Sequence, residues 1–236
     1  MKSKPVELRV EAVILGMLVL AGVLLRIIAL DYLPLSDGEA RLALPVLESR
    51  ATNDAVGILP MSALYSFLLW VLAMMMPVTD SMVRIIAAGF GSLMLLVPVM
   101  LRKELGAVKT IVFTALLALS PLLVTISRTA ESVVLSASTA LWFAASMVRF
   151  ESEYRDTGKV SGRWGTAAGI SAGLFIASGP DSIFVFTIAA AVLYVYSIFS
   201  PQGFLRESLR MMRRWLRDFG WITALCAVLV SAGLGF

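Results

Sequence analysis

The sequence predicts an all-α polytopic membrane protein. About seven transmembrane helices are expected, with two helices in the outer interface and one amphipathic helix at the inner surface. Three observations predict it. The 236 residues are 59% hydrophobic and only 15% charged, against about 45–50% and about 25% in a soluble domain. Apolar runs near the roughly 20 residues needed to cross a bilayer recur along the chain. The lysines and arginines fall in clusters between those runs instead of spreading evenly.

The first run, 10–30, follows a basic start (Lys2, Lys4, Arg9). It is too long for a signal-peptide core and no small-residue cleavage site follows, so it reads as a retained first span that begins in the cytoplasm. Further spans are expected at 82–101, 107–126, 132–148, 183–199 and 220–236. The small-residue stretch 164–178 is expected to be a seventh, packed closely on its neighbours. Pro98 and Pro121 should kink or end helices. Gly165, Gly169 and Gly173, spaced by four, should mark a tight helix contact.

The segment 59–77 decides the topology. If it does not cross, four basic clusters share one side: Lys2 to Arg9, Arg102 to Lys109, Arg149 to Arg163 and Arg206 to Arg217. They hold fifteen of the twenty lysines and arginines. If it crosses, the last three clusters face outward, against the positive-inside rule. The segment therefore reads as an outer interfacial helix bounded by Pro60 and Pro77. The loop 31–81 then lies outside, with six acids (Asp31, Asp37, Glu39, Glu48, Asp54, Asp80) and two bases (Arg41, Arg50). On the inside, 204–219 within the 201–219 segment reads as an amphipathic helix lying on an anionic leaflet. The whole chain, 1–236, is one transmembrane domain in the cell membrane.

The composition also excludes chemistry. The chain has no histidine and a single cysteine, Cys226. Histidine-based triads, imidazole metal sites and an internal disulfide are absent. Acid or base work falls to carboxylates, lysine or tyrosine. Mid-span charges, which a transporter would use, are missing, and nothing points to a nucleic-acid partner.

The stretch Ser36-Asp37-Gly38-Glu39 has two readings. As structure, it fits a capping box that opens a helix. As chemistry, it places two carboxylates at the outer surface, at the level of Arg84, Arg128 and Glu131, with Arg41 nearby. Charges at membrane depth are costly, and they tend to be functional or paired.

These motifs resemble the N-terminal module of GT-C membrane glycosyltransferases of the protein O-mannosyltransferase and aminoarabinose transferase type. The residues are SDGEA (36–40), the 59–77 helix, MVRIIAAGFGSL (82–93), the hairpin 99–121 and VTISRTAES (124–132). The resemblance covers about 130 residues. It implies transfer of a sugar from a polyprenyl-phosphate carrier to an acceptor at the outer face. It also implies Asp37 or Glu39 as catalytic base, and Arg84 and Arg128 near the lipid phosphate, with Arg41 and Glu131 beside them. Some such enzymes hold a divalent cation on outer-loop carboxylates, for which Asp37, Glu39 and Glu131 are the corresponding residues; the sequence itself assigns no metal. The chain departs from the family pattern where Gly38 stands at the usual Asp and Val133 at a usual acid. It also stops after the seventh span, as a fragment or a module completed by other membrane subunits would. The alternative reading is a non-catalytic subunit of a membrane complex on the same fold.

Overall fold

The computed structural model describes residues 5–32, 34–52, 62–179, 182 and 204–232. All the regular structure among them is helical. In chain order the helices are α1 (Pro5–Ile27), α2 (Asp37–Thr52), α3 (Ala63–Met75), α4 (Asp80–Leu93), α5 (Leu96–Met100), α6 (Arg102–Leu105), α7 (Ala107–Leu119), α8 (Pro121–Arg128), α9 (Ser132–Thr157), α10 (Gly162–Ala177) and α11 (Phe204–Ala232).

Local chemistry sets the boundaries. Ser62, Thr79 and Ser161 each accept a bond from an amide three residues on and so open α3, α4 and α10. Gly158, in the left-handed conformation at φ 67°, closes α9. Pro121 starts α8 and bends it 51° from α7, the expected proline break. Three helical stretches are long and apolar enough to cross a membrane: Val10–Ile27, Asp80–Met100 and Ser132–Thr157. The bent pair α7–α8 makes a fourth if it is one span.

Three expectations change shape. The predicted 59–77 helix is α3, 13 residues from Ala63 to Met75, with 59–61 outside the described residues. At about 1.5 Å per residue it runs about 20 Å, short of the roughly 30 Å hydrocarbon core. The 164–178 segment forms α10 with 16 residues, also short for a full crossing. The span at 183–199 lies outside the described residues. Segments 204–219 and 220–236, expected as a surface helix followed by a span, are joined in the single helix α11. The helical spacing of Leu205, Leu209, Met212, Leu216 and Phe219 predicts one apolar face on the first half of this helix, and that face is split. Met212 and Phe219, with Trp215, pack against Met147, Phe150 and Ala168, while Leu216 remains 54% exposed. Trp215 is buried and donates its indole N–H to the Gly165 carbonyl at 3.1 Å.

Two of the core's centres bear on the sites below; a third, around Leu95, Leu117 and Ala118, packs against Val19 and Val23 of α1. One joins α2, α3 and α4 through Val46, Tyr65, Leu69 and Val83. The other joins α9, α10 and α11 around Trp215. The glycine spacing in α10 does what it predicts: a Cβ at Gly165 would lie 2.3 Å from Phe219, and one at Gly173 2.6 Å from Cys226. The first centre carries the outer charges described next.

Candidate functional site

α1 ends without glycine or asparagine. Ala29 adopts φ 55°, a left-handed turn that a residue with a side chain seldom takes, and the chain turns on towards Pro34. The last carbonyls of a helix and those of the turn that follows need donors from elsewhere; arginines from other elements reach one carbonyl in the last turn of α1 and three just beyond it. Arg84 of α4 donates Nη1 to Leu30 O at 2.8 Å and Nη2 to Pro34 O at 3.0 Å. Arg128 of α8 donates Nη2 to Ala29 O at 3.0 Å and Nη1 to Leu25 O at 3.4 Å. Positive charge there also suits the negative end of the helix dipole.

Arg84 does a second thing. Its Nε donates to Glu39 Oε1 at 2.8 Å and its Nη2 to Glu39 Oε2 at 2.7 Å. This is the two-bond geometry that a guanidinium and a carboxylate favour. Both side chains are buried. Glu39 also closes the capping box: the Ser36 amide donates to Oε2 at 2.8 Å, and the Glu39 amide donates to Ser36 Oγ at 3.3 Å. A further donor, unforeseen from sequence, is the Ala130 amide, 2.9 Å from Oε1.

Glu39 thus accepts from an arginine and two amides. Burial alone pushes its pKa up. The Arg84 hydrogen bonds, those from Ser36 and Ala130, and the Arg84 charge outweigh that, and hold the carboxyl down at about 2. At neutral pH it is an anion with its lone pairs taken, held opposite a permanent cation. The Ala130 bond docks the turn between α8 and α9 onto the first turn of α2, which brings Arg128 and Glu131 to the level of Asp37.

The other sequence-predicted residues are open. Asp37 is exposed in the first turn of α2, and its carboxylate has no partner among the described residues. Arg41, one turn along, is exposed. Glu131 precedes α9, is exposed and makes no side-chain cap. Arg128 is half-buried. Among the described residues no three His, Cys, Asp or Glu side chains group as metal ligands, so Asp37, Glu39 and Glu131 do not form such a set.

Arg26 is the residue whose role the sequence did not announce. It is 1% exposed. Pro121 has no N–H, so the carbonyl four residues before it, Leu117 O, loses its helical donor. Arg26 Nη2 donates to that oxygen at 2.7 Å. Its Nη1 reaches Gly22 O at 2.8 Å and Ala118 O at 3.4 Å. The readable signal was an arginine in one span and a proline break in another; their meeting is tertiary.

No family model, curated protein or solved structure matches this chain.

Proposed function

We propose that this chain is a seven-span membrane module of the cell membrane that transfers a sugar from a polyprenyl-phosphate carrier to an acceptor hydroxyl at the outer face. In this reading the N-terminus is cytoplasmic, and the acidic 31–81 loop with its interfacial helices lies outside. The observation that carries it is the division of labour between two carboxylates two residues apart. Glu39 is sealed by Arg84, Ser36 and Ala130, whereas Asp37 is exposed beside it on the same helical turn.

Asp37 is then the base. Its carboxylate takes the proton of the acceptor hydroxyl as that oxygen attacks the anomeric carbon, and the carrier phosphate leaves from the opposite side with inversion. Glu39 and Arg84 are positioning residues that fix the first turn of α2 against the α8–α9 turn. Arg128 and Arg41 retain exposed surface and compensate the phosphate charge. A general base removed from such a step costs about 10²- to 10⁴-fold in rate.

The test is transfer from a polyprenyl-phosphate-linked hexose by the full chain in vesicles. Asp37→Asn should abolish transfer while leaving the unfolding midpoint unchanged. Glu39→Gln should lower that midpoint. Wild-type turnover undiminished in Asp37→Asn would remove Asp37 from the chemistry.

One observation favours a second reading, a non-catalytic subunit on the same fold. Arg84 and Glu39 neutralise each other completely, as purely structural charges would. Wild-type chain that transfers no sugar alone, but co-purifies with a membrane enzyme, would support that reading.

A further inference from the structure

The opposite end of the bundle carries a second concentration of charge. The C-terminal part of α9, the N-terminal turn of α10 and the first half of α11 converge there. The Trp215 indole bond to Gly165 O and the packing of Trp215 with Met147 and Phe150 fix the convergence.

Several of the charges here are already paired. Arg149 meets Glu104 at 3.0 Å, Arg155 meets Glu151 at 2.9 Å and Arg217 meets Asp218 at 2.9 Å. Five cations, Lys159, Arg163, Arg210, Arg213 and Arg214, have no carboxylate partner among the described residues. Among the described residues two local carboxylates have no ion-pair partner: Asp156, and Glu153, which accepts the Ser161 hydroxyl at 2.6 Å. All five cations are exposed except Arg214, which is half-buried.

Two of the guanidiniums are held in place. Arg214 lies over the Tyr154 ring at 4.7 Å and Arg163 over the Trp164 ring at 5.1 Å. Stacking on a ring orients a guanidinium while leaving N–H groups free at its edge. Apolar side chains flank the cations: Val160 is 44% exposed, Leu216 54% and Trp221 63%. A soluble polyanion would find no use for exposed leucine, valine and tryptophan. A lipid surface presents phosphate and acyl chain side by side, which matches both features.

We infer that Lys159, Arg163, Arg210, Arg213 and Arg214, gathered where α9, α10 and α11 meet, form a docking surface for anionic phospholipid headgroups. Val160, Leu216 and Trp221 rest against the adjoining acyl region. The surface works independently of the sugar-transfer reading and lies on elements that do not carry Asp37.

The test uses the full chain in neutral detergent micelles, exposed to equimolar phosphatidylglycerol and phosphatidylcholine. Retained lipid is counted by native mass spectrometry. Basic residues near a lipid surface attract anionic headgroups, so wild type should keep phosphatidylglycerol with a preference of about tenfold or more. The triple variant Arg163→Gln/Arg213→Gln/Arg214→Gln should reduce the preference to near unity with helicity unchanged. Raising salt from about 50 to about 500 mM should weaken the wild-type preference; this second measurement stands even if the variant fails to fold. A preference that survives in the folded triple variant, or that ignores salt, would overturn the proposal. So would displacement of the lipid by millimolar inorganic phosphate, which would mark a soluble-anion site.

Discussion

Arg84 and Glu39, 45 residues apart, meet through two hydrogen bonds of 2.8 and 2.7 Å. The same guanidinium holds Leu30 O and Pro34 O behind α1. One side chain therefore ties α4, the start of α2 and the end of α1. Breaking a buried ion pair from one side leaves a charge without compensation, at a typical cost of about 3–5 kcal/mol. Glu39→Ala and Arg84→Leu should each lower stability by that order. The double replacement should cost clearly less than the two singles together, because neither orphan charge remains. Unfolding in detergent micelles measures all three, and strict additivity would refute the coupling. Arg84→Lys should not rescue, because an ammonium cannot make the two-bond fork and reach two carbonyls as well.

The same pair sets an acid response. The folded-state pKa of Glu39 lies at about 2, below its ordinary value of about 4.3. A depressed carboxylate stabilises the fold fully above the unfolded-state pKa. That contribution is lost as pH falls from about 4.5 towards about 2. Wild-type unfolding midpoints should therefore decline through this window, and the Glu39→Gln variant should decline less. Parallel pH curves for the two proteins would show that other groups control the acid limb.

Arg26 and Pro121 predict a third result. Arg26→Leu leaves Leu117 O without its donor at 2.7 Å, and an unsatisfied buried acceptor costs about 1–3 kcal/mol. Pro121→Ala returns an amide to the position that Leu117 O would use in a straight helix. The Arg26→Leu penalty should be smaller in the Pro121→Ala background. A double-mutant cycle in micelles checks this, and an equal penalty in both backgrounds would mean that Arg26 serves other partners.

The helices were largely legible because their signals are local. Ser36-x-x-Glu39 announced a capping box and both of its bonds form; Pro121 announced a break and α7 bends there. The surface role of 204–219 was less legible. Hydrophobic periodicity shows which residues want to leave water and not whether protein or lipid receives them; Trp215 and Phe219 found protein. At the candidate site, sequence placed Asp37, Glu39, Arg84 and Arg128 at one level, since topology and spacing suffice for that. It could not divide Glu39 from Asp37, because the division depends on the Ala130 amide and on which arginine finds which oxygen. The caps on α1 were hidden for the same reason. The missing glycine after Ile27 says only that some donor must come.

The last prediction concerns the α10–α11 contact, where Gly165 and Gly173 make different demands on one helix pair. At Gly165 a Cβ would meet the edge of the Phe219 ring at 2.3 Å, which is the far end of a side chain that can turn. At Gly173 it would meet Cys226 Cβ at 2.6 Å and the Thr223 carbonyl at 2.8 Å. The latter is backbone and yields only if the helices part. Gly16, in α1, has nothing within 4 Å. Overpacking a close contact costs about 1–3 kcal/mol, while Gly→Ala at an open helical position recovers up to about 1 kcal/mol of propensity. Gly173→Ala should therefore destabilise most, Gly165→Ala less, and Gly16→Ala should be neutral or stabilising. Thermal unfolding of the three variants in one detergent gives the order directly. If Gly173→Ala matched Gly16→Ala, the helices would not approach through that glycine, and the close contact of α10 with α11 at Thr223 and Cys226 would not hold the pair together.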